Sequence, residues 1–139
     1  MQILLAADGS EYTKRAAKYL AQHISAFAQA PKVHVLNVHP PMPYAGAGVP
    51  KKAVEAYQRE ECEKALAVAT KELKKAGIDY KASWVVGDVA EEIRSFVKKE
   101  GIELVVMGSH GHGAFASMAL GSVATKVLAT VKTPVLIIR

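Results

Sequence analysis

The chain has 139 residues, of which 50% are hydrophobic and 22% charged, with a formal net charge of +5. This balance excludes a disordered chain and predicts one globular domain over residues 1–139. A single cysteine excludes an internal disulfide framework and a cysteine-based zinc site. The lysines occur in short pairs without interleaved aromatic residues, which argues against nucleic-acid binding, although the net charge would favour a small anionic ligand.

The first predicted element is a strand at Ile3–Ala7, an apolar run too short for a signal peptide or a membrane span. We therefore expect a cytoplasmic protein with no membrane partner. Asp8, Gly9 and Ser10 follow the strand. The Ser10 hydroxyl can cap a helix, because the apolar residues after it repeat at the spacing of one helix face.

The next predicted elements are a strand at Val33–Val38 and a long helix from about Lys51 to Ala76. Between them, residues 39–52 hold four of the six prolines and predict an irregular segment, which is either a flap over a site or a surface loop. Cys62 falls on the apolar face of the helix. We interpret it as a core residue rather than a reactive thiol, because buried thiols are usually inert.

A third strand is predicted at Ala82–Val86, followed by a helix that Asp88 can cap and that ends before Gly101. A fourth strand at Leu104–Met107 leads into a segment rich in glycine. All of these strands contain Val or Ile, and most are apolar nearly throughout, which is typical of strands buried on both faces of a parallel sheet.

The last predicted helix begins near Gly121–Ser122 and turns Val123, Val127 and Val131 toward the core, and the last strand is Val135–Ile138. Five strands that alternate with four helices predict an α/β fold, a three-layer sandwich around a parallel sheet. The crossovers of such a sheet are right-handed.

The glycine-rich segment between the fourth strand and the last helix is a candidate phosphate site. Gly108 and Gly111 would let the backbone turn and approach a ligand without a Cβ in the way. A helix that starts at Gly121–Ser122 presents unpaired N–H groups to an anion, and the Ser109 and Ser122 hydroxyls could add donors. Because ligands of open α/β sheets lie beyond the carboxyl ends of the strands, the site would lie between the first and fourth strands. The alternative is that the glycines only make a flexible turn.

The spacing Gly108-x2-Gly111-x9-Gly121-Ser122 resembles the G-x2-G-x9-G-[ST] signature of the ATP-binding branch of the universal stress protein family. The Asp-Gly-Ser after the first strand, the LGSV entry to the last helix and the final TPVLIIR strand are similar to the same family, so the resemblance covers essentially the whole chain. It implies a Rossmann-like, five-stranded parallel sheet of order 3-2-1-4-5, with ATP and its Mg²⁺ between the first and fourth strands.

The resemblance also implies the residues that would contact ATP. Those for the adenosine end are Ala6, Ala7 and Asp8, with Val38 for adenine and Met107 and Gly108 for the ribose side. Those for the phosphates are Gly111, Gly121, Ser122 and Val123, beside the Ser109 hydroxyl. His110 and His112 could donate to phosphate or could be exposed loop residues. Because this His-Gly-His pair has no further ligands nearby in the sequence, no metal site is predicted.

Three functions are compatible with the sequence: a nucleotide-dependent regulatory module of the stress response, a weak ATPase or adenylyl-transfer enzyme, and an interaction protein that binds no nucleotide. Chemistry would need a base or nucleophile beside the phosphates. Asp8 is expected at the adenosine end, and Lys126 either points at phosphate or is solvated. We therefore expect a binding module with at most slow ATP hydrolysis and assign no catalytic residue.

The final apolar strand predicts an assembly. An uncovered edge strand invites pairing with another copy, so a two-fold homodimer is expected, as the resemblance also implies. Its contact residues would be Val135, Leu136, Ile137 and Ile138. The alternative is a frayed terminus.

Overall fold

A computed structural model describes residues 1–27, 29–43, 48–113 and 119–139. Strands and helices alternate along the chain in the order β1 (Gln2–Ala6), α1 (Glu11–Phe27), β2 (Lys32–His39), α2 (Lys51–Lys75), β3 (Tyr80–Val86), α3 (Val89–Glu100), β4 (Leu104–Gly108), α4 (Ser122–Thr130) and β5 (Val135–Ile138). The sheet order is β3-β2-β1-β4-β5 and every pairing is parallel. The predicted α/β fold and its strand order are confirmed.

The centre of the sheet is β1, which pairs with β2 on one side and β4 on the other; Ile3 is in register with both Val33 and Leu104. The chain therefore reverses its direction of winding between β1 and β4. A crevice opens at such a point, beyond the carboxyl ends of the two strands.

Two hydrophobic clusters cover the two faces of the sheet. One contains Leu20 of α1 and Leu73 of α2, and the other contains Ile93 of α3 and Val127 of α4. The layers are therefore two helices, the sheet and two helices. Cys62 is buried, as expected, and burial is the first cause that raises the pKa of its thiol.

The helix ends follow local sequence. The Ser10 hydroxyl accepts the Thr13 N–H at 3.3 Å at the start of α1. Asp88 accepts the Glu91 N–H at 3.1 Å at the start of α3, and Gly101 ends α3 with a φ of 62°. These three caps are the ones that the sequence predicts.

The two edge strands differ from the expectation of burial on both faces. Most side chains of β3 are exposed, and those of β5 are half-buried. β3 also begins at Tyr80 rather than Ala82, because Tyr80 pairs with Val33. Edge position therefore explains the difference, since an edge strand has a neighbour on one side only.

Two further expectations concern the surroundings of the sheet. Within the described ranges, no helix combines the length and apolar character that a membrane crossing requires. The flap suggested for residues 39–52 falls partly on residues 44–47, which lie outside the described residues.

Candidate functional site

A cavity of about 610 Å³ opens beyond the carboxyl ends of β1 and β4. Its lining includes every residue that the sequence analysis assigns to ATP: Ala6, Ala7, Asp8, Val38, Met107, Gly108, Ser109, Gly111, Gly121, Ser122 and Val123. Residues far apart in the sequence therefore meet in one crevice, at the place that the topology requires.

The Asp8 carboxylate occupies a fixed position at the end of β1. Its Oδ1 accepts the Thr13 hydroxyl at 2.7 Å and the Ser10 N–H at 2.8 Å, and the Asp8 N–H donates to Thr13 Oγ1 at 3.0 Å. The Asp-Gly-Ser turn thus orients a carboxylate toward the crevice before any ligand arrives.

Asn37 stabilises the same strand end and was missed by sequence reasoning. Its buried side chain donates from Nδ2 to the Ala7 carbonyl at 2.8 Å, and the Ala7 N–H donates to the Leu36 carbonyl at 2.9 Å. A polar residue within the apolar run Val33–Val38 was the available signal, because a buried amide requires a partner.

The signature glycines lie against the chain itself. A Cβ on Gly108 would lie 2.5 Å from Tyr12 Cβ of α1, and a Cβ on Gly121 would lie 3.2 Å from both His110 Cα and the Ser109 carbonyl. A Cβ on Gly111 would overlap Asp8 Oδ2. The sequence argument gave these glycines a role in clearing space for a ligand. The geometry adds that the close approach of the loop to α1 requires a glycine at position 108.

The N-terminus of α4 faces the crevice, and its N-cap residue, Gly121, makes no side-chain cap hydrogen bond. The Gly121 N–H donates to the Ser109 carbonyl at 2.7 Å. The next three amides, of Ser122, Val123 and Ala124, belong to the first turn, where a helix offers no acceptor, and all three residues line the cavity. The positive end of the helix dipole adds to these donors. This end of the crevice is therefore suited to an anion.

Both histidines of the loop have partners. His112 Nε2 donates to the Asp8 carbonyl at 2.8 Å, which ties the loop to the end of β1. His110 Nδ1 lies 2.8 Å from Ser109 Oγ, and its ring lies 5.2 Å from that of Tyr12. Across the part of the chain that the structure describes, no group of three His, Cys, Asp or Glu residues could bind a metal ion.

Helix α2 forms part of the crevice wall, which the sequence analysis did not predict. Glu61 and Ala65 of α2 line the crevice. Lys126 instead lines a second cavity, of about 400 Å³, that adjoins the first at Ser122 and Val123. The signal for α2 was not local, because these residues reach the crevice only through the packing of α2 on α1.

Comparisons with known proteins agree with this architecture. The sequence model of the Universal stress protein family matches residues 1–139. The Thermus aquaticus protein named "Universal stress protein in QAH/OAS sulfhydrylase 3'region" is 33% identical over 139 residues, which cover 99% of this chain and 97% of that protein. The solved structure of MJ0577, a universal stress protein of Methanocaldococcus jannaschii, aligns with a TM-score of 0.81 and 29% identity over 99% of this chain and 94% of that chain.

A universal stress protein solved in complex with cAMP aligns with a TM-score of 0.72 and 24% identity, over 100% of this chain and 97% of that chain. At this identity the likeness shows the shared fold alone.

Proposed function

Because this chain belongs to the universal stress protein family, we propose that it binds ATP with Mg²⁺ in the crevice between β1 and β4. It acts as a nucleotide-dependent regulatory module of the stress response in the cytoplasm. The observation that carries the proposal is the juxtaposition, in one cavity, of the uncapped N-terminus of α4 with the oriented carboxylate of Asp8.

The two ends of the crevice suit the two ends of a nucleotide. The amides of Ser122 and Val123 bind the phosphates, since unpaired N–H groups at a helix N-terminus favour anions. The carboxylate of Asp8 accepts hydrogen bonds from the nucleoside, which carries hydroxyl and amino donors. Val38 and Met107 supply apolar contact near the base and ribose.

A binding role is favoured over an enzymatic one by the state of the loop histidines. His112 Nε2 is engaged by the Asp8 carbonyl and His110 Nδ1 by Ser109 Oγ. Neither contact is to a carboxylate side chain, which is the usual partner that orients a catalytic histidine. Asp8 itself lies at the nucleoside end. The chain therefore binds nucleotide with at most slow hydrolysis.

The test is a calorimetric titration with Mg·ATP, supported by thermal unfolding. ATP at 100 times its dissociation constant should stabilise the wild type by about 2.7 kcal/mol. Ser122→Asp places a carboxylate where the phosphates bind, and like-charge contacts cost several kcal/mol, so ATP affinity should fall about 100-fold. The apo variant should unfold no earlier than wild type, because an acid in the first turn of a helix is favourable.

The matched control is Ser95→Asp, which makes the same charge change on an exposed position of α3 outside the crevice lining. It should bind ATP as wild type does. A wild type that gives no heat and no thermal shift with Mg·ATP would overturn the proposed function. If Ser122→Asp binds ATP as tightly as wild type does, the phosphates do not bind at the N-terminus of α4.

We also propose that two copies pair through β5. The carbonyls of Pro134 and Ile138 accept the N–H groups of Val105 and Ser109 at 2.9 and 2.7 Å. Alternation along a strand then directs the N–H and carbonyl of Ile137 toward the free edge. Leu128 of α4, the helix that precedes β5 in the chain, is an exposed apolar residue, at 45% exposure.

Sedimentation tests this pairing. Wild type should sediment as a dimer at micromolar concentration. Ile137→Pro removes an N–H that faces away from β4, which an edge strand tolerates, so this variant should be a folded monomer while Ile137→Val stays dimeric. A monomeric wild type excludes the pairing.

A further inference from the structure

The long helix α2 presents one face to the crevice. Tyr57, Glu61 and Ala65 are four residues apart and therefore lie on the same side of the helix. Ala65 packs closely on the first turn of the chain, since a Cβ on Gly9 would lie 2.8 Å from Ala65 Cα. One turn beyond Glu61, the Tyr57 ring lies 6.4 Å from the ring of His39 at the end of β2. This face thus forms a wall that runs from the end of β1 to the end of β2.

Glu61 lies in the middle of that wall. It lines the crevice together with Asp8, and it is one helical turn from Ala65, which contacts the residue next to Asp8. Residues one turn apart on a helix have their Cβ atoms about 6 Å apart. Two carboxylates, one from the end of β1 and one from α2, therefore line the same cavity.

The charge of Glu61 is only partly compensated. Lys64 Nζ lies 3.3 Å from Glu61 Oε1 and 2.9 Å from Glu60 Oε1, so two carboxylates share one ammonium group. The hydrogen bond with Glu60 is the first cause that raises the pKa of Lys64. Lys64 is not part of the crevice lining. The part of the cavity near Asp8 and Glu61 therefore carries an excess of negative charge.

We propose that Glu61 is a specificity-determining residue that accepts a hydrogen bond from a ribose hydroxyl and rejects nucleotides phosphorylated on the 2′ or 3′ oxygen. This inference rests on the proposed function. With the phosphates at α4 beyond β4, and the base near Val38 at the end of β2, the ribose lies between them, beside Asp8 at the end of β1. Of the two α2 residues in the crevice lining, Glu61 and Ala65, Glu61 is the one that can accept a hydrogen bond.

The physical basis is the difference between a hydroxyl and a phosphate ester. An ionised carboxylate only accepts hydrogen bonds, so it pairs with a free ribose hydroxyl. A phosphate ester on the same oxygen removes that donor and adds negative charge, and like charges in contact cost several kcal/mol. The crevice then selects nucleoside 5′-phosphates with free ribose hydroxyls.

The experiment compares AMP with adenosine 3′,5′-bisphosphate, which differ only in the 3′-phosphate, by calorimetry on the full chain. Wild type should bind AMP at least tenfold more tightly than the bisphosphate. Glu61→Gln should reduce this ratio about tenfold, since glutamine keeps an acceptor but loses the charge. Glu61→Lys should reverse the preference.

Glu63→Gln is the matched control, because Glu63 is an exposed residue of the same helix that is absent from the crevice lining. It should leave the ratio unchanged. An unchanged ratio in Glu61→Gln, with wild-type AMP affinity and a wild-type unfolding temperature, would overturn this inference alone. A wild type that binds neither ATP nor AMP would overturn the proposed function and the inference with it.

Discussion

The connection from β3 to α3 and the connection from β4 to α4 each lead from the carboxyl end of a strand into the next helix, but they differ in length and in how the helix begins. The first consists of Gly87 and Asp88, and the Asp88 carboxylate accepts an amide of the first turn of α3. The second runs over residues 109–121 and ends in Gly121, which provides no side-chain cap. A side chain of the first connection thus caps one first-turn amide of α3, whereas the first-turn residues of α4 line a cavity.

This difference between the first turns of α3 and α4 shows how one helix of a parallel α/β sheet can offer a ligand site while the layers of the fold stay the same. A helix with a side-chain cap and acidic residues in its first turn, as α3 has in Glu91 and Glu92, is closed to an anion. α4 has no acidic residue in its first turn. Both helices still bury apolar residues in the same hydrophobic cluster.

Among the changes to these two connections, Gly108→Ala should cause the largest loss of stability. The new Cβ would lie 2.5 Å from Tyr12 Cβ, which cannot move unless α1 shifts, so we expect a loss of about 3 kcal/mol in the free energy of unfolding. Urea unfolding measures it. In the control Gly113→Ala, no atom of the described residues lies within 4 Å of the new Cβ, and the φ of 71° opposes the change, so about 1 kcal/mol is expected. Equal losses would show that the loop is not packed on α1.

Asp88→Ala, in the short connection from β3 to α3, should cause an intermediate loss of stability. Removing an N-cap costs about 1 kcal/mol, and the same urea experiment measures it. Because Asp88 is not among the residues that line the larger cavity, the affinity for Mg·ATP should stay within twofold of wild type. A large loss of ATP affinity would mean that the two connections are not functionally separate.

Gly87→Ala should cause the smallest loss of stability. The new Cβ would lie 2.6 Å from Glu92 Oε1 and 2.7 Å from Glu92 Cγ, atoms of a flexible side chain that can rotate away. We expect a change below about 0.5 kcal/mol in unfolding free energy. A loss comparable with that of Gly108→Ala would remove the distinction between a glycine required by helix packing and one that is not.

The features predicted correctly from the sequence are those set by neighbouring residues. The alternation of strands and helices follows from apolar spacing, and the caps of Ser10 and Asp88 depend on residues three positions away. The strand order came from the family resemblance, since no local pattern fixes which strands become neighbours.

The features that were missed depend on contacts between distant parts of the chain. The bond from Asn37 to Ala7 spans 30 residues, and the contact of Gly108 with Tyr12 joins the end of β4 to α1. Glu61 reaches the crevice only because α2 is long and packs on α1. Such contacts require the tertiary structure, so the sequence predicted which strand ends border the crevice but not the wall that α2 contributes to it.

Finally, the peptide groups of Ser109 have a practical consequence for any chain extension. The Ser109 N–H donates to the Ile138 carbonyl and the Ser109 carbonyl accepts the Gly121 N–H, each at 2.7 Å. Residues that follow Arg139, natural or added as a purification tag, therefore start beside the opening of the crevice. Met1 lies at the amino ends of β1 and β2, opposite the crevice, where its carbonyl accepts the Lys32 N–H, so a fluorophore or affinity handle attached there would leave ligand entry unobstructed.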